Sequence, residues 1–392
     1  MPAALNLLSR ALELVPADSP ARPGSLVDLS LALDLSGRYD DEAERLEEAA
    51  AAAQAAGDRR VASLAAIRKV ALSARLSSSP FETLLGELRA MLPDLEEAGD
   101  HRVLGEAWEN VGLLRYWLGR LTEAEQALER AVDHAGASAD GRGEVTRLGS
   151  LTSVITNGPT PVEEAIARLP LLFERFGASK VTEGRMLWNL CMLQAMSGEI
   201  VEARRSWRRS REVYRELGLL FIAHMFIGWA ELTAGDPAEP EGPLREGIAI
   251  LEAAGQKGWL STTAAVLAEV LWRRGNDEES ERYALLSDRL ATPDDWMSQW
   301  QWRAAQAKVL ADRDRLSEAE TLAREAVSVI DQTDYIKNRG DARISLAYVL
   351  RKAGRPGEAT TVLRDALELY ERKGDVADAS KTRAELEDVS TS

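Results

Sequence analysis

The chain has a single cysteine, Cys191, among 392 residues, which leaves nothing with which to form an internal disulfide. Its three histidines, His101, His134 and His224, fall in different segments and show no His-Glu-x-x-His spacing. With one thiol and scattered imidazoles, no metal site and no cofactor are expected. No Gly-x-x-x-x-Gly-Lys-Ser/Thr loop is present, and no Gly-x-Gly-x-x-Gly turn follows a strand, so a nucleotide cradle is missing. Asp312-Arg313-Asp314 has the acidic opening of a calcium loop but lacks its central glycine and closing glutamate, and reads as an ordinary turn. Alternating apolar runs and Asn-Gly or Asp-Gly hairpin turns are nearly absent, which argues against a sheet. The least polar stretch, Leu219 to Ala230, is shorter than the ~20 residues that a membrane helix requires. Met1 to Pro16 has neither the basic start nor the apolar run of a signal peptide, and with the lone cysteine this points to the cytoplasm. Lys and Arg number 48 against 64 Asp and Glu, a net charge of −16 that repels phosphate backbones and anionic bilayers. Nucleic acid and membrane are therefore poor partners.

What the chain does have is helix. Ala, Leu, Glu and Arg fill successive amphipathic segments with apolar positions three and four apart, punctuated by Gly, Asp or Ser. Short turns recur at Gly37, Gly119, Gly198, Gly235, Gly275, Asp314 and Gly354, so a unit of about 40 residues is repeated, with two copies hidden in the longer intervals. Seven residues before each turn stands Ser30, Gly112, Cys191, Gly228, Ala268, Ala307 or Ala347. Twelve residues after it stands Ala131, Ser210, Gly247, Ser287, Ala326 or Ala366, with Ala50 in the first copy after a one-residue insertion. Two helices approach closely only where both lack bulk, so these positions mark the crossing of helix A on helix B within each unit. Cys191 occupies that small slot and reads as packing rather than as a nucleophile, and Trp108 fills the large slot beside it.

Trp108-x-x-Val111-Gly112 with Gly119, Ala124, Leu128 and Ala131 resembles the tetratricopeptide repeat, as do Leu346, Ala347, Gly354, Ala359, Leu363 and Ala366. The tyrosine of that pattern is replaced by Arg115 and Leu350, and the period is nearer 40 than 34. Longer repeats with Gly-Asp closing helix B (Gly57-Asp58, Gly99-Asp100, Gly374-Asp375) are similar to the repeat regions of bacterial signal-transduction ATPases, including regulators of the maltose and LuxR types and some class III cyclases. The resemblance implies an all-α fold, a right-handed α-solenoid of about nine helical hairpins in one domain over residues 1–392. Repeats would span residues 24–374, with degenerate copies at 59–100 and 141–178. Residues 1–16 reproduce an unpaired B-type helix, so that Leu5, Leu8 and Leu12 need a cover, from a fused domain before Met1 or from another surface. Residues 375–388 read as a capping helix whose charges cover the end of the stack.

The family's inward positions lie thirteen, ten, six, three and two residues before each turn. Carried over, they give Tyr116, Trp117, Trp188, Met192, Met196, Met225, Trp229 and Trp272, accompanied by Arg185, Glu269 and Arg273. Four tryptophans and three methionines on positions that face solvent form an adaptable apolar surface suited to a peptide, a partner protein or a small effector. The same side chains have a second reading, as packing between tightly wound A helices. Asp34 at one end and Lys308, Asp312, Arg351 and Lys352 at the other make the outer units polar. On the outer face Arg204, Arg208, Arg211 and Arg215 form a basic stripe, either a solvated face balanced by Glu202, Glu212 and Glu216 or a docking strip for an acidic partner. No catalytic residue is expected, and the implied function is a sensor or scaffold that regulates an attached or associated signalling protein. The alternatives are a stand-alone peptide receptor or adaptor and, more remotely, an enzyme using Glu269 with Arg273. Regulation would rest on two solenoid arrangements in a stack that flexes because only neighbours touch.

Overall fold

The computed structural model describes residues 2–16, 18–34, 36–76, 78–138, 141–176, 180–217, 231–233 and 238–391. Among them are nineteen helices and no strand. α1 (Pro2–Leu14) precedes five hairpins: α2 (Arg22–Asp34) with α3 (Tyr39–Ala56), α4 (Arg59–Arg75) with α5 (Phe81–Ala98), α6 (His101–Trp117) with α7 (Leu121–Ala137), α8 (Gly141–Asn157) with α9 (Val162–Phe176), and α10 (Lys180–Met196) with α11 (Ile200–Leu217). α12 (Glu241–Ala253) is a B-type helix. Three further hairpins follow: α13 (Lys257–Arg273) with α14 (Asp277–Leu290), α15 (Trp296–Asp312) with α16 (Leu316–Ile330), and α17 (Ile336–Lys352) with α18 (Pro356–Lys373), before a last helix, α19 (Val376–Thr391). The fold is thus an all-α solenoid of helical hairpins. Gly228, Gly235, Met225 and Trp229 lie outside the described residues.

Apart from the first copy, where Ala49 rather than Ala50 is fully buried, the small-residue register is where the sequence put it. Ser30, Cys191, Ala268, Ala307 and Ala347 are buried, as are Ala131, Ser210, Ser287, Ala326 and Ala366. A methyl group on Gly112 would meet Leu128 Cγ at 2.6 Å, and one on Gly340 would meet the Tyr370 ring at 2.6 Å. Two of the slot hydroxyls answer backbone carbonyls: Ser30 Oγ donates to Val27 O at 2.8 Å and Ser210 Oγ to Gly184 O at 2.9 Å. The Gly-Asp pairs divide two tasks between them. Gly57, Gly99 and Gly374 end their helices with left-handed backbone, and Asp58, Asp100 and Asp375 then accept from N–H groups in the first turn of the next helix.

The solenoid is wound so tightly that it touches itself one superhelical turn later, through residues 212 to 219 positions apart. Each contact sets the turn before an A helix on the turn inside a hairpin of the layer below. Gln256 donates to the Tyr39 hydroxyl. The Glu82 N–H donates to Asp294 at 3.2 Å. Asp334 N–H donates to Gly119 O at 2.8 Å while its carboxylate accepts from Thr122 N–H at 3.0 Å, and the Tyr335 hydroxyl donates to Tyr116 O at 2.7 Å. Lys373 Nζ donates to Gly158 O at 2.8 Å and Thr160 O at 2.6 Å. This seam corrects the expectation of a stack in which only neighbours touch. At the amino end, α1 packs Leu12 into the core with Leu5 and Leu8 beside it, and Arg22 binds the Leu12 and Val15 carbonyls, so α2 supplies much of the cover these leucines need.

Two glycines separate the seam from ordinary turn chemistry. Gly119 and Gly354 have φ near +73° and +71°, so alanine at either is disfavoured by about 1–2 kcal/mol. A methyl at Gly354 meets nothing, whereas at Gly119 it lies 2.4 Å from Thr333 in the layer above. Gly119→Ala is therefore expected to destabilise the protein by about 1–3 kcal/mol more than Gly354→Ala in chemical denaturation.

Candidate functional site

The A helices line the inner side, and their ion pairs close its amino half. Arg68 pairs with Glu106 at 2.5 Å and Arg147 with Glu109 at 3.5 Å, each from one A helix to the next, with all four side chains largely buried. In the carboxyl half the helices stand apart around a cavity of about 430 Å³. Its walls come from α8, α10, residues 232–233, α13, α15, α17, the end of α18 and α19. That volume suits a small molecule or a short chain segment.

Five of the expected groove residues meet there: Met192, Met196, Glu269, Trp272 and Arg273. Four others do not. Tyr116 stacks edge-on to Tyr335 at 5.7 Å and Trp117 to Trp259 at 6.4 Å, so both serve contact between layers. Arg185 lies across Gly149 of α8, and Trp188 packs into the core beside Met192. For these four the packing reading holds. The register itself transfers well: Gln301, Ala304, Lys308, Asp341, Ile344 and Tyr348, at the same offsets before Asp314 and Gly354, all line the cavity. Selecting those positions for their aromatic and methionine content passed over all of them except Lys308, which the sequence places at the polar end. Lys337, Lys373, Asp378 and Lys381 lie outside those offsets; the last two belong to α19, which lines the cavity and from which Lys381 Nζ donates to Thr233 O.

The charges in this wall largely satisfy one another. Glu269 accepts from Lys308 and, at 2.9 Å, from Arg273. Burial works against its ionisation, but the two cations hold Glu269 at about 2. Burial in turn pulls Lys308 below the ordinary lysine range despite that carboxylate. The Lys308 ammonium also sits 4.3 Å from the Trp272 ring centre, and Trp272 Nε1 donates to Asp312 at 2.8 Å. Lys337 binds Asp341 at 2.9 Å and Asp378 at 2.8 Å, and the Tyr370 hydroxyl donates to Asp341 at 2.8 Å. Trp300 Nε1 and Gln301 Oε1 are buried behind the wall without a hydrogen-bond partner among the described residues.

Other candidates resolve into structure. Burial raises the Cys191 thiol to about 12, which suppresses a thiolate nucleophile. Trp108 is core, under the Arg130 guanidinium at 4.6 Å. Asp314 is a turn residue with φ of 58°, and Asp312 accepts from Tyr348 at 2.5 Å. His101 and His134, which the sequence reading assigned to different segments, are brought together by the antiparallel pairing of α6 and α7, with Nδ1 atoms 2.8 Å apart. No group of three or more metal-ligating side chains occurs among the described residues. On α11, Arg204 forms a two-point pair with buried Glu231 at 2.9 and 2.8 Å, and Arg211 reaches Glu246 at 3.4 Å. Arg208 and Arg215 are exposed, so the stripe divides into two repeat-tying and two surface arginines.

Comparison with known proteins agrees with this geometry. The tetratricopeptide repeat pattern matches residues 340–373, which are most of α17 and α18, and residues 184–209 across α10 and α11. No curated protein matches the chain in sequence. Among solved structures, NprR in complex with its cognate peptide NprX superposes with a TM-score of 0.52 at 13% identity, covering 71% of this chain and 82% of NprR. A Rap protein complexed with Competence and Sporulation Factor gives 0.46 at 10% identity over 94% and 98%. A signal-transduction ATPase with a tetratricopeptide sensor from Pyrococcus horikoshii gives 0.42 at 16% identity over 84% and 52%. The fold is that of a tetratricopeptide-type solenoid with an inner cavity. Among the described residues no helix is long and apolar enough to cross a membrane.

Lys308→Met leaves Glu269 buried with Arg273 alone, and should cost about 3–5 kcal/mol, most of it recovered in Lys308→Met/Glu269→Leu; urea denaturation of the three chains checks this. A pH series gives a second check. Lys373 lies at about 7 when folded because burial disfavours its charge, against an ordinary 10.5. The unfolded chain therefore binds the extra proton between those values, and Lys373 contributes stability that grows as pH rises from 7 towards 10. Lys373→Met should flatten that part of the stability curve.

Proposed function

We propose that this chain is a non-catalytic sensor module that holds a peptide, a partner segment or a small effector in the cavity between α10, α13, α15, α17 and α19, and that regulates a signalling protein to which it is attached or bound. The observation that carries this reading is the 430 Å³ cavity on the inner face, whose wall sets Met192, Met196 and Trp300 beside the ion-paired Glu269, Arg273 and Lys308. The described NprR complex, a solenoid of like fold holding its peptide NprX, supports the choice of a peptide among the ligands.

Catalysis is disfavoured by the same groups. Glu269, held ionised by Lys308 and Arg273, has no proton to give near neutrality, and the Cys191 thiol resists ionisation. The cavity bridges layers of the superhelix: Lys373 lines it and also joins α18 to the α8–α9 turn. A ligand that favours one spacing of those layers shifts the population towards it, and this is how binding would be reported to a neighbouring domain.

The test is extraction of the purified protein under denaturing conditions, with mass spectrometry of what is released. Asn338 lines the cavity, is half-buried and forms no side-chain hydrogen bond among the described residues, so Asn338→Trp should occlude the space with little effect on folding. A molecule retained by the wild type and lost at least about tenfold from Asn338→Trp supports the reading. Equal retention by both chains overturns it.

A further inference from the structure

Away from the cavity, two imidazoles meet at the open end of the α6–α7 hairpin. His101 is the first residue of α6 and His134 stands in the last turn of α7, so the antiparallel pairing sets them side by side. Their backbones are held in place. Asp100 caps α6 by accepting from the Arg102 and Val103 N–H groups at 3.0 and 3.2 Å, and Ala131 and Ala135 bury the face of α7 beside His134. His101 itself is exposed and His134 half-buried, so solutes reach both rings. The Nδ1 atoms lie 2.8 Å apart and the ring centres 5.1 Å apart, with 36° between the planes. A neutral imidazole has one N–H and one ring lone pair, so in this contact one Nδ1 donates to the other. When both rings carry their proton on Nε2 instead, two lone pairs converge on the same point, which is half of a tetrahedral metal site.

We propose that His101 and His134 together bind a divalent transition-metal ion of the zinc class through their Nδ1 atoms, with water in the remaining positions. Two Zn–N bonds of about 2.0–2.1 Å at the tetrahedral angle put the nitrogens about 3.3 Å apart, so the pair must open by only about 0.5 Å. Side chains at the surface supply that by small rotations. The proton balance closes within the pair: the donating ring moves its proton from Nδ1 to Nε2 through water, and the two neutral rings take up the ion without releasing a proton. Burial first, and the neighbouring ring next, hold His134 below the ordinary 6.5, so it is in the ligating form at neutral pH. The other charges that act on it are Asp133 and Glu96, which favour a cation, and Arg147, which opposes one but is committed to Glu109. Asp133 and Glu96 are exposed, and neither forms an ion pair among the described residues. No third protein ligand completes the set there, which leaves the ion open to solvent. Imidazole nitrogens suit zinc, nickel and copper, whereas magnesium and calcium take oxygen. A bound ion would fasten the hairpin at the end opposite its Gly119 turn, and an ion held only by the folded chain stabilises it.

The test uses the whole chain, stripped of metal with a chelator, and the metal ion alone as probe. Isothermal titration calorimetry with zinc chloride near neutral pH should show a single site, and magnesium chloride should show none. His101→Gln and His134→Gln should each weaken zinc binding about tenfold or more, while His224→Gln, which removes the remaining imidazole, leaves it unchanged. Both variants alter accessible side chains, and circular dichroism verifies that their helices are intact. Long-range proton–nitrogen NMR of the chain labelled at its three histidines gives a readout that needs no variant. Without metal, one ring of the pair is the Nδ1–H tautomer; with zinc, both become Nε2–H and both Nδ1 signals shift. Zinc affinity that survives either substitution overturns the site, as does binding that leaves the Nδ1 signals in place. Absence of binding up to about 1 mM zinc overturns it as well, and the two imidazoles are then a hydrogen-bonded tie between helices and nothing more.

Discussion

The winding of the solenoid onto itself governs the rest of this structure. Hairpins stacked only on their neighbours would leave the inner face open along its length. The hydrogen bonds of Gln256, Asp334, Tyr335 and Lys373 to the layer below fix the pitch. With the pitch fixed, the groove becomes a partly open cavity whose walls belong to helices from both layers. Electrostatics then follows from geometry. Carboxylates and cations that would be solvated on an open concave face are drawn close enough to neutralise one another, as Glu269, Lys308 and Arg273 do.

Much of this was legible in the sequence. Small residues at fixed offsets from each turn announced the helix crossings, because a crossing excludes bulk whatever the rest of the helix contains. The inward register was legible for the same reason, and Met192, Met196, Glu269 and Trp272, which it turns inward, line the cavity. The errors have physical causes. Tyr116 and Trp117 hold inward positions, but in the amino half those positions meet another layer rather than solvent. Choosing by hydrophobicity passed over Gln301 and Asp341, whose polar groups find partners within the wall in Met297 and in Lys337 and Tyr370.

The seam itself left no local trace. It joins residues more than two hundred positions apart through backbone carbonyls, turn aspartates and single side chains, none of which has a helical period. Lys373 illustrates the difficulty. In the sequence it is an unremarkable basic residue in the last turn of a helix, a place where lysine is favoured for the helix dipole. Only the packing of α8 and α9 from the preceding layer makes it a buried charge. The same holds for His101 and His134, whose proximity comes from the pairing of two helices and not from their spacing along either.

A repeat array can begin to assemble as soon as two neighbouring units exist, and each new unit adds onto the last. The seam obeys a different clock. On a ribosome, α3 would form and pack long before its upper partner Gln256 has been synthesised, and Gly119 would wait in the same way for Asp334. The first layer must therefore persist as a half-finished floor, with its hairpin turns facing water, until the second has been laid over it.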